Sequence, residues 1–562
     1  MLYTADFETT TDPEDCRVWA WAICEIGNPD NISIGNSIDS FFAMLAKHGG
    51  DTFYFHNLKF DGEFIVSWCL NLGLEYTDDK ELGKGKFKAL ISDAGQWYTI
   101  DIFLPNARKQ VHFIDSLKII PLPIEAIPKA FGLEDAKLKI DYTAKREKGH
   151  ELTDEEIAYI KEDVAIAAKA LYIMRKQGLC KITAGSNALA DYKARTGKRA
   201  MQALFPICPN DHDVRLSYRG GFTYLKPEYA DKDIGGGIVL DVNSLYPYVM
   251  HEFKYPYGAG VYFDGKYNHD AAYPLYIQCL SCQFELKPGM IPTIQMKQCS
   301  FFLDNEYCTS SKGEELTLVL TSVDLKLFME HYDVYNVEYK GGWKYKAKAG
   351  MFTDYIDYWI AVKNDATREG NKGMRTLAKL MLNSLYGKFA TKPEAVATEP
   401  VLVDGILKIK AGQKQQKKPL YIPVGTFVTA YARNVTIRAA QSVYERFVYA
   451  DTDSLHLIGA DLPEGLNIDP VELGAWKHES SFRRARFIRQ KTYIEDEGTE
   501  EAPELKVTCC GMPKQCHKYV TWENFHPGAV YPGKLRPKHV PGGIVLEDCE
   551  FTVRIPKNIV DK

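Results

Sequence analysis

The fold is indicated most directly by residues 446–458, with the sequence RFVYADTDSLHLI. Two short runs rich in β-branched and aromatic residues flank the polar segment Ala450-Asp451-Thr452-Asp453-Ser454, a pattern that predicts a β-hairpin. Asp451 and Asp453 would then lie at its tip. Paired carboxylates in such a position can hold a divalent cation.

A second acidic strand end lies upstream, where the short apolar run Ile238-Val239-Leu240 leads into Asp241. Phosphoryl transfer needs positioning and divalent cations more than it needs covalent chemistry. Carboxylates at adjacent strand ends would hold two such ions. Tyr246, a little beyond Asp241, would stand beneath the sugar of a nucleotide and exclude a 2′-hydroxyl group.

Residues 374–390 predict a helix that carries two separate stripes. Its apolar stripe consists of Met374, Leu377, Leu380, Met381 and Leu385. Its polar stripe, with steps of 4, 4 and 3, consists of Arg375, Lys379, Asn383 and Tyr386. The cations would meet triphosphate oxygens, and Gly387 would let a template base approach the backbone closely. A solvated basic face is the alternative.

The first 180 residues contain a further acidic constellation in an α/β pattern. Asp6 and Glu8 share one face of a strand, and Asp61 lies in a separate segment. Tyr159 and Asp163 share one face of a helix that begins at a capping box, Thr153 with Glu156. This set is typical of a two-metal phosphodiesterase in which the tyrosine orients the attacking water. Surface acids and a core tyrosine are the alternative.

Composition excludes several classes of protein. The 562 residues predict about three to five domains. Hydrophobic residues at 45% and charged residues at 25% exclude a disordered or collagen-like chain. A net charge of -5 argues against a DNA coat, but it allows a basic channel beside carboxylate sites. No apolar run reaches a membrane span and no export signal is evident, so a soluble intracellular protein is expected.

The 13 cysteines include a cluster of unusual spacing, Cys279, Cys282, Cys299 and Cys308. A zinc ribbon closes with two tight pairs, whereas the second pair here is separated by eight residues. A zinc site, a disulfide and ordinary buried thiols all stay open, with buried thiols favoured in a reducing compartment.

The acidic motifs resemble those of a known family in content and order. Residues 241–247 resemble motif A of the family B DNA polymerases, residues 379–387 motif B and residues 449–454 motif C. The upstream segments resemble the Exo I, Exo II and Exo III motifs of the DEDDy 3′–5′ exonucleases. Tyr218-Arg219-Gly220-Gly221 resembles the Y-x-G-G motif, Lys491-Thr492-Tyr493 the K-x-Y motif, and residues 429–433 a T-x2-x-R element. Insertions after motifs A and B are typical of the protein-primed phage subgroup.

The resemblance implies a multidomain α/β and α+β chain with an RNase H-like exonuclease domain and a right-hand polymerase. Its two insertions are called TPR1 and TPR2 in that family. The implied domains are the exonuclease at 1–182, palm at 183–252 and 419–523, TPR1 at 253–354, fingers at 355–390, TPR2 at 391–418 and thumb at 524–562. The residues themselves predict only a connector between 183 and 221.

The resemblance also implies a DNA-directed DNA polymerase that replicates a linear phage genome from a protein primer. Processive strand displacement and 3′–5′ proofreading would accompany synthesis, with two Mg²⁺ ions per active site and Mn²⁺ as a substitute. The implied partners are primer-template and single-stranded DNA, the dNTPs, and a terminal protein bound through TPR1. We expect a monomer in the host cell cytoplasm, without membrane contact.

Roles for single residues follow from the resemblance. The implied catalytic residues are Asp241, Asp453, Asp451, Asp6, Glu8, Asp61, Asp163, Tyr159 and Lys137, and Lys139 and Lys145 compete for the role of Lys137. The implied metal ligands are Asp241, Val242, Asp453, Asp6, Glu8, Asp61 and Asp163. The implied nucleotide ligands are Val242, Leu245, Tyr246, Arg375, Lys379, Asn383 and Tyr386. The implied DNA ligands are Thr9, His56, Asn57, Phe60, Ser116, Leu117, Tyr218, Arg219, Gly220, Ser244, Gly387, Thr429, Arg433, Lys491 and Tyr493.

The lysine-rich stretch 408–418 predicts an exposed hairpin or loop. It contains five lysines and no aromatic residue, so charge directed at a nucleic-acid backbone is a simpler role than base stacking. A merely solvated loop is the alternative.

Three other functions stay open. A family B polymerase that starts only from nucleic-acid primers would not need the two insertions. A non-catalytic DNA-binding protein would not need every expected carboxylate. An exonuclease alone would leave Asp241, Asp451 and Asp453 unexplained.

Overall fold

The computed structural model describes residues 1–134, 138–142, 144–296 and 306–555. Lys137 and Cys299, for which the sequence predicts a catalytic role and a place in the cysteine cluster, lie outside these ranges. No helix in the described ranges is both long enough and apolar enough to cross a membrane.

The N-terminal region is built on an eight-stranded mixed sheet with the strand order β3-β2-β1-β4-β8-β7-β6-β5. Its strands are β1 Leu2–Thr9, β2 Val18–Glu25, β3 Asn28–Gly35, β4 Thr52–Phe55, β5 Glu75–Tyr76, β6 Lys86–Ile91, β7 Trp97–Phe103 and β8 Val111–Asp115. Its helices are α1 Ile38–Leu45, α2 Leu58–Asn71, α3 Ile127–Phe131 and α4 Asp154–Lys176. Helix α4 begins at the predicted capping box, in which Thr153 and Glu156 bond each other's backbone.

Three short helices follow where the sequence predicted a connector. They are α5 Ala184–Thr196, α6 Lys198–Leu204 and α7 Asp211–Arg215. The connector prediction is wrong because Tyr192 and Met201 are buried in the central hydrophobic core. Gly197, at φ 82°, separates the first two helices.

The central sheet has five strands in the order β20-β11-β19-β18-β9. A neighbouring four-stranded sheet has the order β10-β21-β22-β23. Their strands are β9 Thr223–Leu225, β10 Asp233–Ile234, β11 Gly237–Val242, β18 Phe447–Asp451, β19 Ser454–Ile458, β20 Trp476–Phe482, β21 Arg484–Arg489, β22 Thr492–Asp496 and β23 Leu505–Cys509. Strands β18 and β19 form the predicted hairpin.

Five further helices contribute residues to the central hydrophobic core. They are α8 Leu245–Glu252, α10 Thr353–Arg368, α11 Lys372–Ser384, α12 Tyr386–Phe389 and α13 Ile422–Ser442. The single helix predicted over 374–390 is therefore two helices, α11 and α12. Leu377 and Met381 are buried, whereas Arg375 and Lys379 are exposed, as the two predicted stripes require.

Four strands that lie between Tyr255 and Lys348 form a separate sheet with the order β12-β15-β13-β14. Its elements are β12 Tyr255–Phe263, β13 Leu275–Leu286, β14 Leu316–Thr321, α9 Ser322–His331 and β15 Tyr332–Lys348. Two hairpins and a short helix complete the described chain: β16 Glu394–Val403 with β17 Ile406–Gln416, α14 Lys514–His517, and β24 Val530–Val540 with β25 Gly543–Thr552.

The β16–β17 hairpin, which contains most of the lysine-rich stretch, is attached to the N-terminal sheet. Leu407 lies in the hydrophobic core of that sheet with 2% exposure. The Tyr76 hydroxyl donates to the Thr398 carbonyl at 2.7 Å, and the Thr398 hydroxyl donates to the Ile91 carbonyl at 3.1 Å. Lys408 and Lys410 alternate with Leu407 and are exposed.

Candidate active sites

The first candidate site forms where two strand ends of the central sheet meet. Asp241 on β11 lies opposite Ser454 of β19, and the Val242 N–H donates to the Asp453 carbonyl at 2.8 Å. The turn itself is fixed from behind, because the Thr452 N–H donates to Phe222 at 2.6 Å and the Thr436 hydroxyl donates to Thr452 at 2.7 Å. The sheet register therefore holds the carboxylates of Asp241 and Asp453 close together.

The electrostatics of the Asp241 and Asp453 carboxylates favour a bound cation. Burial, followed by the charges of Asp241 and Asp451, raises the pKa of Asp453 to about 6. Burial also raises the pKa of Asp241, against the effect of Lys477. Half-buried carboxylates that repel each other in this way suit a bound cation. The two carboxylates form an oxygen donor set that suits a divalent metal ion, and Val242 lines the same cavity.

Asp451 is held differently from the other two aspartates. The Lys491 ammonium lies 2.5 Å from its Oδ1, and the Tyr449 and Thr223 hydroxyls each donate to it at 3.3 Å. It does not line the cavity that Asp241 and Asp453 share. The structure thus links the third predicted carboxylate to the predicted K-x-Y segment.

A cavity of about 580 Å³ opens in front of Asp241 and Asp453. All seven predicted nucleotide ligands line it, together with Ser244, which was predicted to contact DNA. These residues are Val242, Leu245, Tyr246, Arg375, Lys379, Asn383 and Tyr386. The polar stripe of α11 and the acidic strand ends therefore face one common space.

Two tyrosines form an aromatic wall of this cavity. The rings of Tyr246, in the first turn of α8, and Tyr386, at the start of α12, stack with centroids 4.0 Å apart and planes at 10°. Burial is the main cause of the raised pKa of Tyr246, so its hydroxyl stays protonated. The Tyr246 ring is thus held in one position beside the end of β11.

Sequence reasoning missed several residues that line the same cavity. Lys363, Asn364 and Thr367 project from α10, and Lys477 projects from β20. Burial, followed by neighbouring cations, lowers the pKa of both Lys363 and Lys379. The spacing of the α10 residues on one helical face was a usable signal, whereas the position of Lys477 depends on strand pairing.

The predicted Y-x-G-G segment lies against the acidic hairpin. A Cβ atom on Gly221 would approach the Thr452 side chain to within 2.8 Å, so the close approach requires glycine. Tyr218 is half-buried and Gly220 is exposed. The Arg219 guanidinium turns inward and donates to the Val319 carbonyl at 2.9 Å.

The direct DNA contact predicted for Thr429 and Arg433 does not fit this structure. Thr429 is 1% exposed and Arg433 is 3% exposed. Both Arg433 Nη2–Asp324 carboxylate distances are 2.8 Å, and Nη1 donates at 2.8 Å to the carbonyls of Arg219 and Gly220. Arg433 therefore holds the backbone of the Y-x-G-G segment in place through these two hydrogen bonds.

The predicted K-x-Y residues differ in accessibility. The side chain of Lys491 is 51% exposed, and its backbone N–H donates to the Tyr449 hydroxyl at 2.9 Å. Tyr493 is buried, with its ring stacked on Phe487 at 4.9 Å. Gly387, by contrast, is exposed at the start of α12.

The second candidate site lies on the N-terminal sheet. Asp6 and Glu8 on β1 and Asp163 on α4 place ligand atoms within 4.8 Å of one another. Within the described ranges, no other group of three or more His, Cys, Asp or Glu side chains is gathered so closely. Burial, followed by the charge of Asp6, holds the pKa of Asp61 well above its usual range. Oδ1 of Asp61 is buried and accepts no hydrogen bond from the described residues, so this site also fits a cation.

Tyr159 lies one helical turn before Asp163 on the same face of α4. It is 1% exposed, and burial and the charge of Glu8 raise its pKa. Its hydroxyl shares a 2.6 Å hydrogen bond with the Tyr142 hydroxyl. Tyr142, which is 49% exposed, was not among the predicted site residues.

A cavity of about 490 Å³ in the same N-terminal region is lined by His56, Asn57 and Leu117 of the predicted DNA ligands, but by none of the four carboxylates. His56 Nδ1 lies 3.0 Å from the Ser116 hydroxyl, which itself donates to the Phe55 carbonyl. Ser116 is therefore buried behind the cavity wall. Thr9 and Phe60 are half-buried and do not line the cavity.

The described cysteines give no support to the predicted alternative of a zinc site. Cys279 and Cys282 lie three residues apart on β13, so their side chains point to opposite faces. Cys282 and Cys308 are buried in the hydrophobic core that packs on strands β13 and β14. No disulfide joins the twelve cysteines that lie within the described ranges.

The chain resembles known proteins over almost its whole length. A family model described as DNA polymerase type B, organellar and viral, matches residues 43–467. The DNA polymerase of Bacillus phage phi29 is 46% identical over 98% of this chain and 99% of its own length. The DNA polymerase of Streptococcus phage Cp-1 is 34% identical over 98% of each chain.

Solved structures give the same result. The phi29 DNA polymerase complexed with primer-template DNA and incoming nucleotide substrates is similar with a TM-score of 0.93 and 44% identity. That match covers 98% of this chain and 100% of the other. The phi29 enzyme complexed with single-stranded DNA matches with a TM-score of 0.92 over the same shares.

Proposed function

The chain belongs to the organellar and viral type B DNA polymerases, and we propose that it couples processive, strand-displacing DNA synthesis to 3′–5′ proofreading. It is a DNA-directed DNA polymerase of the phi29-like, protein-primed kind, with an exonuclease and a palm, fingers and thumb polymerase. One observation carries the proposal for synthesis. A single cavity joins Asp241 and Asp453 to the cationic stripe of α11.

The family implies the use of divalent metal ions, and the donor sets of both sites fit them. We propose Asp241, Asp453 and the Val242 carbonyl as the ligands for synthesis. The proposed nuclease ligands are Asp6, Glu8, Asp61 and Asp163. Each site would take two Mg²⁺ ions, with Mn²⁺ as a substitute. Bound there, the ions would neutralise charge that develops on the phosphate oxygens.

Different residues of the cavity would bind different parts of the incoming nucleotide. Arg375 and Lys379 would bind the triphosphate. Their positive charges repel each other, and a bound polyanion would offset that repulsion. Asn383 and Tyr386 would contact the base or the sugar. Tyr246, fixed by its stack on Tyr386, would occupy the space of a 2′-hydroxyl group.

The nuclease site would remove a mispaired 3′ end. His56, Asn57 and Leu117 would hold the single strand at the cavity, with Thr9, Phe60 and Ser116 beside them. Tyr159 would orient the attacking water through a hydroxyl that stays protonated. The assisting lysine would be Lys137, with Lys139 and Lys145 as the alternatives.

DNA would pass from one site to the other along the Y-x-G-G segment. Tyr218, Gly220, Ser244 and Gly387 are the proposed contacts, and Lys491 would grip the primer from the hairpin side. Arg219, Thr429, Arg433 and Tyr493 would act as supports behind this surface, because each is turned inward or buried. The similar phi29 enzyme has been solved with primer-template DNA and with single-stranded DNA, which supports both kinds of DNA as ligands.

The remaining assignments concern domains and partners. We propose the exonuclease at 1–182, palm at 183–252 and 419–523, TPR1 at 253–354, fingers at 355–390, TPR2 at 391–418 and thumb at 524–562. TPR1 would bind a terminal protein as the primer, and a monomer would act in the cytoplasm of the host cell. The separate sheet at 255–348 and the hairpin at 394–416 support the two insertions.

Variants with one site removed test the proposal. Asp453→Ala should abolish primer extension in Mg²⁺ but leave the degradation of single strands intact, because the nuclease carboxylates are untouched. Asp6→Ala combined with Glu8→Ala should do the reverse. Loss of both activities from either change in a folded protein would contradict two separate sites.

A second measurement separates protein priming from priming by nucleic acid alone. The chain and its purified terminal protein are incubated with a labelled deoxynucleotide and Mg²⁺, without a nucleic-acid primer. Covalent labelling of the terminal protein is the expected result. Extension of primed DNA without such labelling would favour a polymerase that uses only nucleic-acid primers.

A further inference from the structure

Lys477 is a cation on the acidic side of the nucleotide cavity. It lies on β20, directly opposite Asp241 in the register of the antiparallel pair β11 and β20. Its ammonium group lies 3.2 Å from Asp241 Oδ1. A metal-binding carboxylate in the proposed site therefore already has a cationic partner supplied by the chain.

Lys477 also faces the cavity from the side opposite the helices. Lys363 projects from α10, and Arg375 and Lys379 project from α11, whereas Lys477 rises from the sheet. The charge of Lys477 is one cause of the lowered pKa of Lys363 and of Lys379, so these cations share one space. The Lys477 side chain is 36% exposed and has room to move.

Two binding events would change the partner of Lys477. A divalent cation held by Asp241 would compete with the ammonium group for this carboxylate and would weaken the attraction between them. A triphosphate in the cavity brings several negative oxygens toward the flexible side chain, which offers three donors. The same nucleotide that needs the metal thus supplies a new partner for the lysine.

We propose that Lys477 is a nucleotide-binding residue that alternates between Asp241 in the nucleotide-free enzyme and the triphosphate of the incoming nucleotide. This inference rests on the proposed nucleotidyl transfer at this cavity. It gives Lys477 two opposite effects. The lysine weakens metal binding before the nucleotide arrives and strengthens nucleotide binding afterwards.

The test uses the full chain with Asp6→Ala and Glu8→Ala as a background. These changes remove ligands of the proposed nuclease metal site, so that the Mn²⁺ binding measured is that of the nucleotide cavity. Mn²⁺ binding to the nucleotide-free protein is measured by electron paramagnetic resonance. Lys477→Met, which keeps the aliphatic stem, should bind Mn²⁺ about threefold to fivefold more tightly because a partly screened competing charge is gone. Lys477→Ala serves as a second neutral variant.

Nucleotide binding is measured on a dideoxy-terminated primer-template, so that no bond forms. Both neutral variants should bind the matched dNTP about tenfold more weakly, the usual effect of losing a charge-assisted hydrogen bond. Lys477→Arg should restore both constants. The matched control is Lys344→Ala, which breaks a 2.7 Å pair with Asp270 outside both sites and should change neither.

Tighter binding of Mn²⁺ together with weaker binding of the dNTP supports the proposal. Replacing a lysine with a merely structural role would not shift these two dissociation constants in opposite directions. An unchanged Mn²⁺ affinity, an unchanged dNTP affinity or a failure of Lys477→Arg to restore them overturns it. An unmodified chain that does not extend primers at all would instead overturn the proposed function.

Discussion

Neutralising the lysines of the β16–β17 hairpin should weaken DNA binding by an amount that depends on salt. The perturbation replaces Lys408, Lys410, Lys414, Lys417 and Lys418 by glutamine, and all five are exposed. Glutamine keeps the strand length and leaves Leu407 and Thr398 in contact with the N-terminal sheet. This variant is cleaner than a deletion, which would also expose apolar surface.

The magnitude follows from counterion release. Each lysine that neutralises a phosphate of duplex DNA adds about 0.9 to the slope of log affinity against log salt, or about 0.7 for a single strand. Five contacts would therefore reduce the slope by up to about 4.5 on duplex DNA and about 3.5 on a single strand. If only Lys408 and Lys410, on the outer face of β17, contact DNA, the loss would be about 1.4 to 1.8.

The assay measures the dissociation constant of primer-template DNA at several salt concentrations, and then product length through a duplex. Filling of short gaps should persist, whereas processivity and strand displacement should fall sharply. The matched control replaces Gln413, Gln415 and Gln416 on the same strand by serine, which changes side chains but not charge. An unchanged salt slope, together with full-length products through duplex DNA, would refute the role of this hairpin in holding DNA.

Two further predictions concern single side chains. Tyr246→Val should lower the preference for dNTP over rNTP by about tenfold or more, because the stacked ring would no longer fill the space of the 2′-hydroxyl; the ratio of kcat/KM values measures this, and Tyr246→Phe, which keeps the ring, is the control. Burial disfavours ionised Glu156, but hydrogen bonds from His150, the Thr153 backbone and Arg146 outweigh it and lower its pKa to about 2 from 4.5. The resulting stabilisation is present above about pH 4.5 and is lost as the pH falls toward 2. Glu156→Gln should therefore flatten the acid dependence of thermal unfolding in this range, and an equally steep dependence in the variant would contradict the assignment.

Local patterns predicted much of the fold and of both sites. The β18–β19 hairpin, the capping box of α4 and the two stripes of α11 are confirmed, because each depends on residues only a few positions apart. The seven predicted nucleotide ligands also meet in one cavity, but their grouping was implied by the family resemblance, because they belong to two segments that are far apart in the chain.

Long-range contacts explain what the sequence did not predict. Helices α5 to α7 are short and interrupted by Gly197, so their apolar residues show no sustained period. The burial of Arg433 depends on Asp324, 109 residues away. The place of Lys477 depends on the pairing of β20 with β11, which no local pattern reveals.

The buried pair of Arg433 and Asp324 also limits how this chain can be recombined with its relatives. Asp324 lies on α9, between strands β14 and β15, whereas Arg433 lies on α13, which contacts strands β18 and β19 of the central sheet. A chimaera that exchanges residues 253–354 without preserving a carboxylate at 324 would leave the buried Arg433 guanidinium without its counter-charge. We expect the free energy of unfolding to fall by about 3–5 kcal/mol. This ion pair therefore couples the segment that contains α9 to the core around α13, and an exchange of either segment has to preserve the counter-charge supplied by the other.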